Sequence, residues 1–102
     1  MKLTNKDLVS LDIILKESRK IYQRHSQHDY LILIDYIIDK INYLLSDLSQ
    51  QEHDFILSKE HMSSLFNILL DTSNVTLIKG LVDMAEESIR LQNIISENIK
   101  CL

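Results

Sequence analysis

DYLILIDYIIDKINYLLSDL, residues Asp29–Leu48, is the stretch on which the fold turns. Most positions from Tyr30 to Leu48 are hydrophobic and Ile is frequent among them, a composition that buried strands and buried helices share. The polar residues separate the two. Asp35, Asp39, Asn42 and Ser46 recur at steps of four, three and four, which gathers them into one stripe on a helix and scatters them over both faces of a strand. The spacing predicts a helix over 29–48, apolar around most of its circumference, and such a helix must be covered on several sides.

Upstream and downstream of this segment the chain repeats itself. LTNKDLVSLDIIL (Leu3–Leu15) returns in the second half as LSKEHMSSLFNIL (Leu57–Leu69), with Leu3/Leu57, Ser10/Ser64, Leu11/Leu65, Ile14/Ile68 and Leu15/Leu69 identical. Both copies begin with a helix start. Thr4 and Ser58 are N-cap residues whose hydroxyls can accept from the third helical N–H, Asp7 completes a capping box, and Leu3/Leu8 and Leu57/Met62 occupy the hydrophobic staple positions. The three identical pairs from Leu11/Leu65 onward then line one face of each helix. An ancestral duplication of a helical hairpin explains the likeness, and so does the resemblance of any two Leu-rich helices with stapled caps. Ser26 with Asp29 and Ser49 with Glu52 suggest two further starts. The turn-like DTSN (Asp71–Asn74) predicts a break before a last helix whose face is Leu77, Ile78, Leu81, Val82, Ala85 and Ile89. Gly80 would lie inside that helix and marks either a close crossing or a late start.

The expected map is helix 5–25, helix 29–48, a short helical turn at 50–56, helix 59–71 and helix 75–99. It describes an all-α protein, a small antiparallel four-helix bundle built as one domain over 1–102 from two hairpins at about 1–48 and 55–102. The chain has no Pro and one Gly, so tight hairpins and Gly-rich phosphate loops have little to be made from.

Composition narrows the function. One cysteine, Cys101, cannot close a disulfide within the chain, the longest apolar run is far too short to span a bilayer, and charges come too early in MKLTNKDLVSLD for a secretory signal. A cytoplasmic protein is expected. A net charge of -4 disfavours a general nucleic-acid binder.

No catalytic, metal-binding or cofactor-binding residue is expected. His25 and His28 lie at a helix junction with no further ligands beside them, no histidine has an acidic residue three places before it, and no nucleophile motif occurs. The chain reads as a non-enzyme. Lys16, Arg19, Lys20 and Arg24 share a face at the end of the first helix and could dock an acidic partner or a phosphate. The hairpin supplies another reading, in which Arg19 pairs with Asp35 and Lys16 with Asp39. Tyr36 and Tyr43, seven apart, flank the apolar stripe of the central helix either as its rim or as an exposed strip that meets another chain.

The central helix, the last helix and the second stapled helix, with Met62, Leu65, Phe66, Leu69 and Leu70, carry more apolar surface than one molecule hides. The expected function is therefore a small protein-binding regulator or inhibitor acting through helix faces, with a homodimer as the simplest association. Candidate contact residues are Lys16, Arg19, Lys20, Arg24, Tyr36, Tyr43, Met62 and Phe66. The Ile-, Lys- and Asn-rich composition suits a short bacterial phage or mobile-element gene. The stretch INYLLSDLSQQEHDFILSKEHMSSLF (Ile41–Phe66), together with the order of helices, resembles the small helical bundles of bacteriocin immunity proteins, over under a third of the chain and without a diagnostic motif. That resemblance implies an immunity function as the alternative. Weak nucleic-acid binding through the basic face of the first helix is a second alternative.

Overall fold

The computed structural model describes residues 1–47 and 49–101. The protein is all-α, with a short two-stranded sheet added. Its elements are β1 (Lys2–Thr4), α1 (Asn5–Arg24), α2 (His28–Leu45), β2 (Glu52–Asp54), α3 (Lys59–Ile78) and α4 (Val82–Lys100). They fall into two compact units, Met1–Ile56 and Leu57–Leu102.

In the first unit α1 starts as its sequence dictates. Asp7 N–H donates to Thr4 Oγ1 and Thr4 N–H donates to Asp7 Oδ2, both at 3.0 Å, so two of the amides that a helix start leaves open are satisfied reciprocally. Leu3 and Leu8, the staple residues, are buried. The helix ends in a Schellman turn: Gln27 N–H donates to Tyr22 O at 3.1 Å, Ser26 N–H donates to Gln23 O, and Ser26 takes φ 55. Ser26 is thus the end of α1 and not the start of α2, whose N-cap Gln27 makes no side-chain cap bond. The chain reverses there, and α2 returns against α1. Leu8, Leu11, Ile14, Leu15 and Tyr22 of α1 and Ile34, Ile37 and Ile41 of α2 are buried, each such side chain contributing roughly 1.5–3 kcal/mol. The expected end of α2 at Leu48 lies outside the described residues; the helix as described stops at Leu45.

The expected helical turn at 50–56 is a strand. β2 pairs antiparallel with β1 in the register Lys2↔Asp54, Leu3↔His53, Thr4↔Glu52, extended by Phe55 N–H to Met1 O at 2.8 Å and Asn5 N–H to Gln51 O at 3.1 Å. His53, Phe55 and Leu57 are buried while Glu52, Asp54 and Ile56 are exposed. That period of two is a strand pattern hidden by the identities of its members, a histidine facing in and an isoleucine facing out. The Ser49/Glu52 box does not form. Ser49 N–H and Oγ–H both donate to Asp47 Oδ1, which makes a local turn instead.

The second unit repeats the first in the register that aligns Leu57 with Leu3. Ser58 Oγ accepts from His61 N–H at 3.1 Å, and α3 is as long as α1. It does not stop at DTSN. Thr72, Ser73 and Thr76 return their hydroxyls to carbonyls one turn back, Thr72 Oγ1 to Ile68 O at 2.8 Å, which keeps a polar cluster inside a helix. The break comes at Gly80, φ 80, where Leu81 N–H donates to Thr76 O at 2.8 Å and Gly80 N–H to Leu77 O at 3.1 Å. This Schellman turn matches the one at Ser26. No atom lies within 4 Å of where a Gly80 Cβ would stand, so the glycine marks the late start of α4 and not a close crossing. Ser88 Oγ–H donates to Leu69 O at 2.8 Å, a buried tie between α4 and α3. A shared stapled cap explains the likeness of the two helix starts. The same two helices also end alike, each in a turn with one residue at positive φ, Ser26 and Gly80.

Candidate interaction surfaces

The first candidate surface is the basic face of α1. Arg19 forms a fork on Asp35, Nε to Oδ1 at 2.8 Å and Nη2 to Oδ2 at 3.2 Å, the pairing that the hairpin reading expected. The hydrogen bond from Arg19, helped by its charge, holds the Asp35 carboxyl below the usual carboxylate range against an opposing desolvation, and the same bond raises the guanidinium. Lys16 does not pair with Asp39. Its Nζ lies 2.9 Å from Asp12, one turn back on its own helix, where an i,i+4 partner is nearer than any on α2. Lys20 sits 3.5 Å from Glu17, and Arg24 is exposed at the last turn. Three of the four cations therefore face carboxylates of their own unit, and the face carries little net positive charge.

The remaining candidates separate by burial. Met62 is 3% exposed because it serves as the staple of α3, so its side chain is not on a contact surface; Phe66 is half-buried. Tyr43 is 78% exposed and Tyr36 is exposed with Lys40 Nζ 5.9 Å from its ring centroid, a cation–π contact. Tyr22 and Tyr30, by contrast, pack edge to face at 4.9 Å inside the hairpin. Tyr36 and Tyr43 share their face with Ile32, 70% exposed. Steps of four and seven place all three on one line along α2, opposite Ile34, Ile37 and Ile41, over roughly 16 Å of helix.

A second apolar surface was not legible. The sequence pattern puts Leu77, Ile78, Leu81 and Val82 on the buried face of the last helix; they are exposed instead, Ile78 at 86%. The break at Gly80 moves them from the side of a helix to the tip of the α3–α4 turn. Comparison of the two units shows how specific both surfaces are. At the tip of the first hairpin the positions equivalent to Leu77, Ile78, Leu81 and Val82 hold Gln23, Arg24, Gln27 and His28. Along the second return helix the positions equivalent to Ile32, Tyr36 and Tyr43 hold Glu86, Arg90 and Glu97, all exposed. One backbone thus accepts polar or apolar residues at each place, so packing within the hairpin does not demand the apolar ones. An alignment of the two copies over their full length, beyond the shared helix starts, is the signal that reveals these positions.

Elsewhere the chemistry is sparse. A cleft of about 280 Å³ is lined by Tyr43, Leu44, Ser46, Asp47, Gln50 and His53. Two of its polar groups are engaged elsewhere: Ser49 bonds to Asp47 and lowers its carboxyl below the usual range, and His53 Nε2 lies 2.7 Å from Asn5 Oδ1. Among the described residues no three His, Cys, Asp or Glu side chains are grouped to hold a metal ion, and no helix is long and apolar enough to cross a membrane. Against this geometry, no family model, no curated protein and no solved structure matches the chain.

Proposed function

We propose that the protein is a non-catalytic regulator or inhibitor that acts by binding another protein chain through the outer face of α2, and that it self-associates. The observation that carries this reading is the exposed line Ile32, Tyr36 and Tyr43, set where the equivalent helix of the second unit carries Glu86, Arg90 and Glu97. Tyrosine is favoured at protein interfaces because a rigid ring offers large apolar area and a polar tip at low entropic cost. The charge pairing on α1 weighs against the nucleic-acid alternative, since a cation held by its own carboxylate releases few counterions from a phosphate backbone.

A photo-crosslinking residue at position 43, with position 97 as its matched control, tests the reading in cells carrying the gene. The expected result is a protein adduct from position 43, identified by mass spectrometry, whose binding to the unlabelled chain is abolished by Tyr43→Glu. Absence of any protein adduct from 43, or equal capture from 97, refutes it.

A further inference from the structure

We infer that the occupant of the α2 outer face is the same face of a second copy of this chain, laid antiparallel: Ile32 of one molecule packs on Tyr43 of the other, and the Tyr36 ring of one, with its Lys40, meets Asp39 of the other, each contact made twice about a two-fold axis. This rests on the protein-binding reading above and adds the partner and its orientation.

The contact is made by one helix alone. Ile32, Tyr36, Asp39 and Tyr43 follow one another at steps of four, three and four and are all exposed, so they form a single stripe of the kind that zips against another helix. Lys40 flanks the stripe and leans over it, its Nζ 5.9 Å from the centroid of the Tyr36 ring.

Asp39 selects the occupant. No ion pair reaches it among the described residues, and a carboxylate in the middle of an apolar line loses solvation when that line is covered, so a partner that buries the line has to bring a cation. The face itself carries one. In the antiparallel register that lays Ile32 on Tyr43 of the other molecule, the same count brings Tyr36 opposite Asp39 of the other molecule, and Lys40 comes with the Tyr36 ring. A parallel pair would set Asp39 against Asp39, like charge on like.

The second unit supplies the control. At the places of Ile32, Tyr36, Asp39, Lys40 and Tyr43, α4 holds Glu86, Arg90, Asn93, Ile94 and Glu97. The same register on α4 would set Glu86 against Glu97, so a self-complementary stripe is present on one return helix and not on the other. A stripe about 16 Å long buries less than the roughly 1,200 Å² at which stable interfaces begin, which makes the dimer a weak one that fills at high micromolar concentration.

Charge exchange on the full chain tests this. Asp39→Lys and Lys40→Glu each place like charges at both contacts of a homodimer, whereas a mixed dimer of the two has opposite charges at both. Sedimentation equilibrium up to millimolar concentration should give a monomer–dimer equilibrium for the wild type and a dissociation constant raised about tenfold or more for either variant alone, with far-ultraviolet circular dichroism unchanged. The mixture should recover association toward the wild-type value. Orientation is read by single cysteines in a Cys101→Ser background, where Ile32→Cys mixed with Tyr43→Cys should oxidise to the mixed disulfide in preference to either self-disulfide. The inference is overturned if either charge variant alone associates as the wild type does, if the mixture stays as weak as its parts, or if self-disulfides predominate. It is also overturned if the wild type grows beyond a dimer or is monomeric at millimolar concentration. In the last case a foreign protein crosslinked from position 43 leaves the broader reading standing, and no adduct at all removes both.

Discussion

Ser26 and Gly80 occupy the same place in their hairpins, and both are held at positive φ. An L side chain in the left-handed region costs roughly 1–2 kcal/mol, so the serine carries strain that the glycine does not. Ser26→Gly should stabilise the protein by about 0.5–1 kcal/mol, part of the relief being lost to a more flexible unfolded chain, and Gly80→Ala should destabilise it by about 1 kcal/mol although the added methyl meets open space. Urea unfolding midpoints check both, and a neutral Gly80→Ala would show that this turn relaxes.

The Arg19–Asp35 pair gives a residue-scale dependence on pH. The Asp35 carboxyl is held below its ordinary value in the folded state, so its contribution is present above the unfolded carboxylate value, near ~3.9, and is lost as pH falls through the lower folded value. Wild type should therefore exceed Asp35→Asn slightly at neutral pH and the two should converge in acid. Both partners are solvent-exposed, which keeps the difference small and sensitive to salt. A gap that persists in acid would assign it to packing and not to charge.

At the scale of elements, the helix starts are sequence-local devices whose strengths differ. Thr4 takes part in a reciprocal box, whereas Ser58 accepts from the His61 amide without an acidic residue at the third position. Substitution of either by Ala should cost about 0.5–2 kcal/mol, with Thr4→Ala toward the upper end; thermal or urea unfolding of the two variants checks the order. The β1–β2 clasp is a tertiary device. Phe55, fully buried beside it, should cost about 3–5 kcal/mol when replaced by Ala. If Phe55→Ala proves as mild as a cap substitution, the clasp is peripheral to the unit.

For the whole molecule, the proposed self-association would stabilise the folded chain by mass action, so the melting temperature of wild type should rise with protein concentration. Tyr43→Glu should remove that slope while leaving the melting temperature at low concentration unchanged, because the residue is 78% exposed. Differential scanning calorimetry over a concentration series measures both. A flat wild-type series would mean that the α2 line has no like partner in solution.

The sequence by itself determined the all-helical class, the two stapled starts, the pairing of Arg19 with Asp35 and the helical state of 29–45, because each depends on side chains within a turn or two of one another or on the simplest antiparallel register. Tertiary structure decided the rest. His53 became a strand residue, and Phe55 extended its pairing, because the backbone of β1 was there to bond with them, a partner at the opposite end of the unit's chain. The helix α3 ran through DTSN because its hydroxyls could bond within the helix, which moved the break to Gly80 and turned Leu77, Ile78, Leu81 and Val82 from core to surface. Local chemistry sets where helices begin; which of their apolar residues face water depends on where they end, and that is settled by the fold around them.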